Sequence, residues 1–122
     1  MTEHDPHAKP TTAALFALLW DDLADVLGSS ATATLLRRAA KHGAGHRPEL
    51  RDLVIHRPAF EYEYILPMQW SNDAHGREAL QALVRTLIPL LQQLTGPIVI
   101  RRLQAIPALV QAGLIDHEET AS

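Results

Sequence analysis

A chain of 122 residues has the length of one domain, and its 47% apolar content is enough to bury a core, which argues against global disorder. A formal charge of -3 gives no overall drive toward nucleic acid or an anionic membrane. There is no cysteine, so disulfides, thiolate chemistry and cysteine-ligated zinc are excluded outright.

The first ten residues are polar and read as a flexible tail, with neither the basic start nor the apolar run of a signal peptide. Thr11 or Thr12 is the expected N-cap of a helix running to about Leu27, with Gly28 as its C-cap. Leu15, Leu19, Leu23 and Val26 form one apolar stripe that Phe16, Trp20 and Leu27 widen, so this helix is expected to touch more than one neighbour. Asp21 and Asp25 stand four apart on its less apolar side, where two solubilising charges explain them better than acid–base chemistry. Ser29 or Ser30 then caps a second helix to about His42. It packs through Thr34, Leu35, Leu36, Ala39 and Ala40, and carries Arg37, Arg38 and Lys41 on the other side. Residues 1–28 are net acidic and residues 29–59 net basic, a complementarity that can be met within the chain or across a dimer.

Gly43 to His46 ends that helix, and Pro48 starts a single turn. Residues 52–70 are the stretch that does not read as helix. Segments 53–57 and 60–66 are rich in Val, Ile, Phe and Tyr and are separated by Pro58-Ala59, the pattern of two strands and a tight connection. In the second strand Phe60, Tyr62, Tyr64 and Leu66 alternate with Glu61, Glu63 and Ile65, giving one apolar and one mostly polar face. Asn72 or Asp73 is the expected cap of the longest helix, whose stripe is Leu80, Leu83, Val84, Leu87, Leu91 and Leu94. Pro89 falls inside this stripe and frees the Arg85 carbonyl, so a bend is expected. Gly96-Pro97 breaks the chain before a last helix with the stripe Val99, Leu103, Ile106, Val110 and Leu114, which Pro107 kinks or splits. Residues 116–122 are acidic and read as a second flexible tail.

The expected fold is therefore a mainly helical α+β domain over residues 11–115. It has about four helices, a two-stranded antiparallel ribbon between the second and third, and the last two helices as a long antiparallel pair. Its expected core is Leu15, Leu19, Leu23, Leu36, Val54, Tyr62, Tyr64, Leu80, Leu87, Leu91, Leu103, Ile106 and Val110. No apolar run is long enough to span a membrane, and a cytoplasmic protein is the default expectation.

No catalytic motif is present. The phosphate-loop pattern and the GxGxxG fingerprint are absent, no GxSxG elbow exists, and the serines at 29, 30 and 71 sit where helix capping explains them. His42 and His46 are four apart and with His56, or alternatively Glu61, form a candidate metal set, although Gly43 and Gly45 between them break a continuous helical face. Arg102 and Arg38 are candidate ligand-binding cations, with Tyr62, Tyr64 and Trp70 as aromatic walls. The competing explanation for Arg102 is an ion pair with a carboxylate of the first helix or of the ribbon. Basic and aromatic residues are not interleaved, so nucleic acid is not an expected partner. A ribbon with free edges and many large apolar residues favours self-association, with Val54, Phe60, Ile65, Val99 and Val110 as candidate interface residues. The leading expectation is a non-enzymatic interaction or regulatory protein acting as a homodimer, without a cofactor. A small-molecule or metal sensor with a pocket between ribbon and long helices comes next, and a small enzyme third.

Overall fold

Thr11 opens the first helix, α1 (Thr12–Leu27), by accepting the Ala14 N–H on its hydroxyl at 3.1 Å. One glycine then serves two helices. Gly28, at φ 88°, returns its N–H to the Ala24 carbonyl at 2.9 Å, and α2 (Ser29–Gly43) begins at the next residue. The expected serine cap of α2 is not made. Instead the Gly28 carbonyl accepts both the backbone N–H and the hydroxyl of Thr32, at 3.1 and 2.8 Å, and no side chain among the described residues caps the helix. The computed structural model describes residues 10–71 and 73–115. Both expected tails lie outside the described residues except Pro10, and so do the Asn72 candidate cap and the side chain of Asp73.

After α2, a 3-10 turn (Pro48–Asp52) leads into β1 (Val54–His56), which pairs antiparallel with β2 (Glu63–Ile65). A second 3-10 turn (Met68–Ser71) precedes α3 (Asp73–Thr95), and α4 (Pro97–Gln104) and α5 (Pro107–Gln111) follow. This is the expected architecture: a mainly helical α+β domain with a two-stranded antiparallel sheet between the second and later helices. No helix among the described residues is long and apolar enough to cross a membrane.

Two boundaries differ from the sequence reading. The strands are three residues each, and the link between them is a six-residue loop rather than a tight Pro58-Ala59 connection. Pro58 has no N–H to give a ladder, and Arg57 Nε donates to the Phe60 carbonyl at 3.2 Å, so the backbone here turns on itself instead of pairing. The last long helix is two short ones. Ile106 is extended at φ -94° and ψ 105°, the conformation that a following proline imposes, and it separates α4 from α5.

The core lies where α1, α2 and α3 meet, with α4 and α5 closing one side. Leu15, Phe16, Leu19 and Leu23 of α1, Leu36 of α2, Leu80, Leu83, Leu87 and Leu91 of α3, and Leu103 of α4 are fully buried. Val54 is a correction: it is 43% exposed, and its neighbour Ile55 is the residue that turns inward. Strand side chains alternate, so a one-residue difference in facing moves a side chain from core to solvent. The split before Pro107 has the same effect further on. Leu109 is fully buried, while Ile106 packs only partly against the core and Val110 is half-buried.

Candidate functional site

The ribbon is held to the helices from two sides. On its inner face Ile55 and Tyr64 are register partners, and Tyr64 meets Phe16 of α1 edge-on at 4.7 Å between ring centroids. Trp20 lies 5.5 Å from Tyr64 and 6.3 Å from Tyr62, and Trp70 lies 6.0 Å from Phe16. From α2, Arg37 donates Nε and Nη2 to the Ile55 carbonyl at 2.9 and 2.6 Å. The same guanidinium stands 5.8 Å from the Tyr62 ring, and Arg57 stands 5.5 Å from it. The ribbon is thus a rigid flap, because rings and a charge-assisted contact fix it at several points.

Burial pushes the Tyr64 phenol above its usual value, and the negative charge of Asp21 pushes the same way. Both disfavour the phenolate, so Tyr64 is a neutral wall residue at ordinary pH.

The outer face carries different chemistry. Val54 and Ile65 are partners across the strands and are 43% and 55% exposed. Next to them His56 and Glu63 are partners, with Nε2 and Oε1 3.6 Å apart. Phe60 lies in the loop beyond that pair and is 88% exposed, and Met68, just after β2, is 85% exposed. The protein has six aromatic residues. Five meet in the inner cluster, and Phe60 alone projects into solvent.

The residues read from sequence as ligand walls divide among different places. Tyr62, Tyr64 and Trp70 do come together, but as members of the packed cluster around Phe16 and Trp20. Arg102 sits on α4 and is clamped to α1, with Nε 2.8 Å from Asp22 Oδ1 and Nη2 2.8 Å from Asp25 Oδ2. These carboxylates raise its pKa further, the Asp22 hydrogen bond most, so it stays a cation. Arg38 lies on α2 beside Leu35, Leu90 and Leu94, in a shallow cleft of its own. Of the interface candidates, Val54, Phe60 and Ile65 are on the exposed ribbon, Val110 is partly buried, and Val99 is a core residue at 3% exposure. His42 is the penultimate residue of α2, His46 follows in the next turn and His56 is on β1. Among the described residues no group of three or more His, Asp or Glu side chains is placed to hold a metal ion.

A concavity does adjoin the ribbon, on the side of the α1–α2 junction rather than the long helices. It measures about 420 Å³, with Trp20, Tyr62, Phe60, Arg57 and Ser29 among its walls. Trp20 and Ser29 were not singled out as site residues from sequence. Trp20 belongs to an ordinary apolar stripe and Ser29 to a helix start, so only the folded chain brings them to one opening. Comparison with known proteins returns no matching family model, curated protein or solved structure for this chain.

Proposed function

We propose that this chain is a non-enzymatic interaction protein that acts as a homo-oligomer, and that the ribbon from Val54 to Met68 is the surface it uses. The observation that supports this reading most is Phe60. It is a phenylalanine held at 88% exposure at a loop tip, in a molecule whose other aromatic residues pack into one cluster. Exposed apolar area of this kind marks association surfaces, and aromatic residues dominate the binding energy of such surfaces. Val54, Ile65 and Met68 add apolar area around it, with His56 and Glu63 as a polar element between. The two-stranded ribbon has no third strand among the described residues, and since Arg37 engages β1 at the Ile55 carbonyl, β2 is the strand offered for main-chain pairing with a second ribbon. The aromatic cluster and the Arg37 contact hold this surface in one shape before a partner arrives, which lowers the entropic cost of binding.

Sedimentation equilibrium of the full chain tests the reading. The expected result is a species of twice the 13.5 kDa chain mass at micromolar concentration. The double variant Phe60→Asp, Ile65→Lys is expected to sediment as the single chain with unchanged helicity. A wild-type protein that stays at 13.5 kDa, or a double variant that still doubles, removes the proposal.

A further inference from the structure

The proline inside α3 has a consequence on a different face of the molecule. Pro89 has no N–H, so the Arg85 carbonyl four residues earlier lacks its helical donor. The Arg85 side chain is exposed and, among the described residues, makes no hydrogen bond, ion pair or ring contact. Arg85 and Pro89 both line a cleft of about 320 Å³ between α3, α4 and the segment after α5. Its other walls include Ile88, Ile100 and Ile115, with the amides of Gln81 and Gln104 at the polar margin. Gln81 spends its Nε2 on the Ala112 carbonyl at 3.1 Å, which fixes that margin in place. A second cleft, of about 460 Å³, adjoins the first through the shared residues Gln81 and Arg85.

We infer that this groove binds a small amphipathic carboxylate, with the anionic head on Arg85 and a short alkyl or aryl body against Ile88, Pro89, Ile100 and Ile115. Among the described residues lining the two clefts, one arginine is open to the head. Arg47, in the second cleft, is already engaged by Glu49 at 3.3 Å and Glu78 at 3.9 Å, and also donates to the His75 carbonyl. Glu78 lines that second cleft and repels an anion from it, and His46 there is exposed. Among the described lining residues Arg85 is the cation left to form the two parallel N–H···O bonds that guanidinium offers a carboxylate. An apolar wall with a few convergent polar groups, in a volume of this size, is the ordinary form of a small-ligand site. None of these residues belongs to the ribbon, so this inference and the association proposal fail separately.

The test uses octanoate as probe, the full chain, and heteronuclear NMR titration with octylamine as the cationic control. Saturable shifts confined to the Gln81 and Gln104 side-chain amides and the Ile88, Ile100 and Ile115 methyls are expected with octanoate and not with octylamine. Arg85→Gln, an exposed change, is expected to weaken octanoate about tenfold, as loss of a charge-assisted contact does. No saturation, shifts located elsewhere, or equal response to octylamine overturns the inference on the wild-type protein alone. Undiminished binding by a folded Arg85→Gln variant overturns it as well.

Discussion

Gly76 shows how one residue type sets a close approach. It lies in the first turns of α3, and a Cβ placed there would come within 2.7 Å of the buried Thr12 hydroxyl and 2.9 Å of the Trp70 carbonyl. Alanine in a helix is favoured over glycine by about 1 kcal/mol, whereas overpacking a tight contact costs about 1–3 kcal/mol. The contact includes backbone, which cannot step aside as a flexible side-chain end does, so the second effect wins. Gly76→Ala is expected to lower stability by about 1 kcal/mol or more in urea unfolding. Gly45→Ala, whose nearest neighbour would be the His42 carbonyl at an ordinary 3.6 Å, serves as the near-neutral control. Equal midpoints for the two variants would refute this account. Tyr64 gives a pH prediction. Its folded-state pKa is raised above the usual phenol value of about 10, first by burial and then by Asp21. Above that pH the unfolded chain ionises its phenol while the folded chain retains the proton, so the folded state binds more protons and stability falls as pH rises. Below about pH 10 the group contributes no pH dependence. The wild type is expected to lose more stability than Tyr64→Phe between about pH 9 and pH 11, measured as paired unfolding curves. Parallel curves would show that Tyr64 titrates normally.

At the scale of elements, the two internal prolines of the C-terminal half behave differently. α3 runs through Pro89, which is exposed, while Leu87 and Leu91 on either side are fully buried. Burial on both sides of the proline outweighs one lost backbone bond. At Pro107 the chain takes the extended conformation that a proline favours in the residue before it, and a new helix starts with the proline at its first position. The ribbon depends on an element outside itself. Three-residue strands are too short to stand alone, and Arg37 of α2 carries the contact that fastens β1. Arg37→Ala is expected to cost about 1 kcal/mol, the lower range for a charged hydrogen bond because the side chain is partly in water. Amide exchange should quicken across β1 and β2 while the slow amides of α3 keep their rates. Uniform acceleration throughout the chain would mean that Arg37 supports global stability rather than ribbon docking.

For the whole molecule, the helical core and the ribbon have separate tasks. Leucines of α1, α2, α3 and α4 close the interior, and the ribbon stands over α1 on a cushion of aromatic rings. Its outer face then presents Val54, Phe60 and Ile65 without disturbing that interior. If the ribbon is the seam of a dimer, the melting temperature rises with protein concentration by mass action, and the Phe60→Asp, Ile65→Lys variant loses that dependence.

The helical frame was legible in the chain because its signals are local and periodic. Thr11, Gly28 and Gly96-Pro97 mark ends, and the leucine stripe of α3 repeats at helical spacing. The ribbon's existence and its inward Tyr64 were legible for the same reason, through alternation. The strand limits, the outward turn of Val54 and the burial of Leu109 in place of Val110 were not, since each depends on where pairing or helix stops. Arg102 was open in sequence to a ligand or to a carboxylate, and only the crossing of α4 over α1 put Asp22 and Asp25 at 2.8 Å from it. The opening beside Tyr62 and the groove at Arg85 likewise join residues far apart in the chain. Local propensity acts within a few residues, whereas a surface is made by elements that meet, so the elements could be read from the residues and their surfaces had to be seen in the fold.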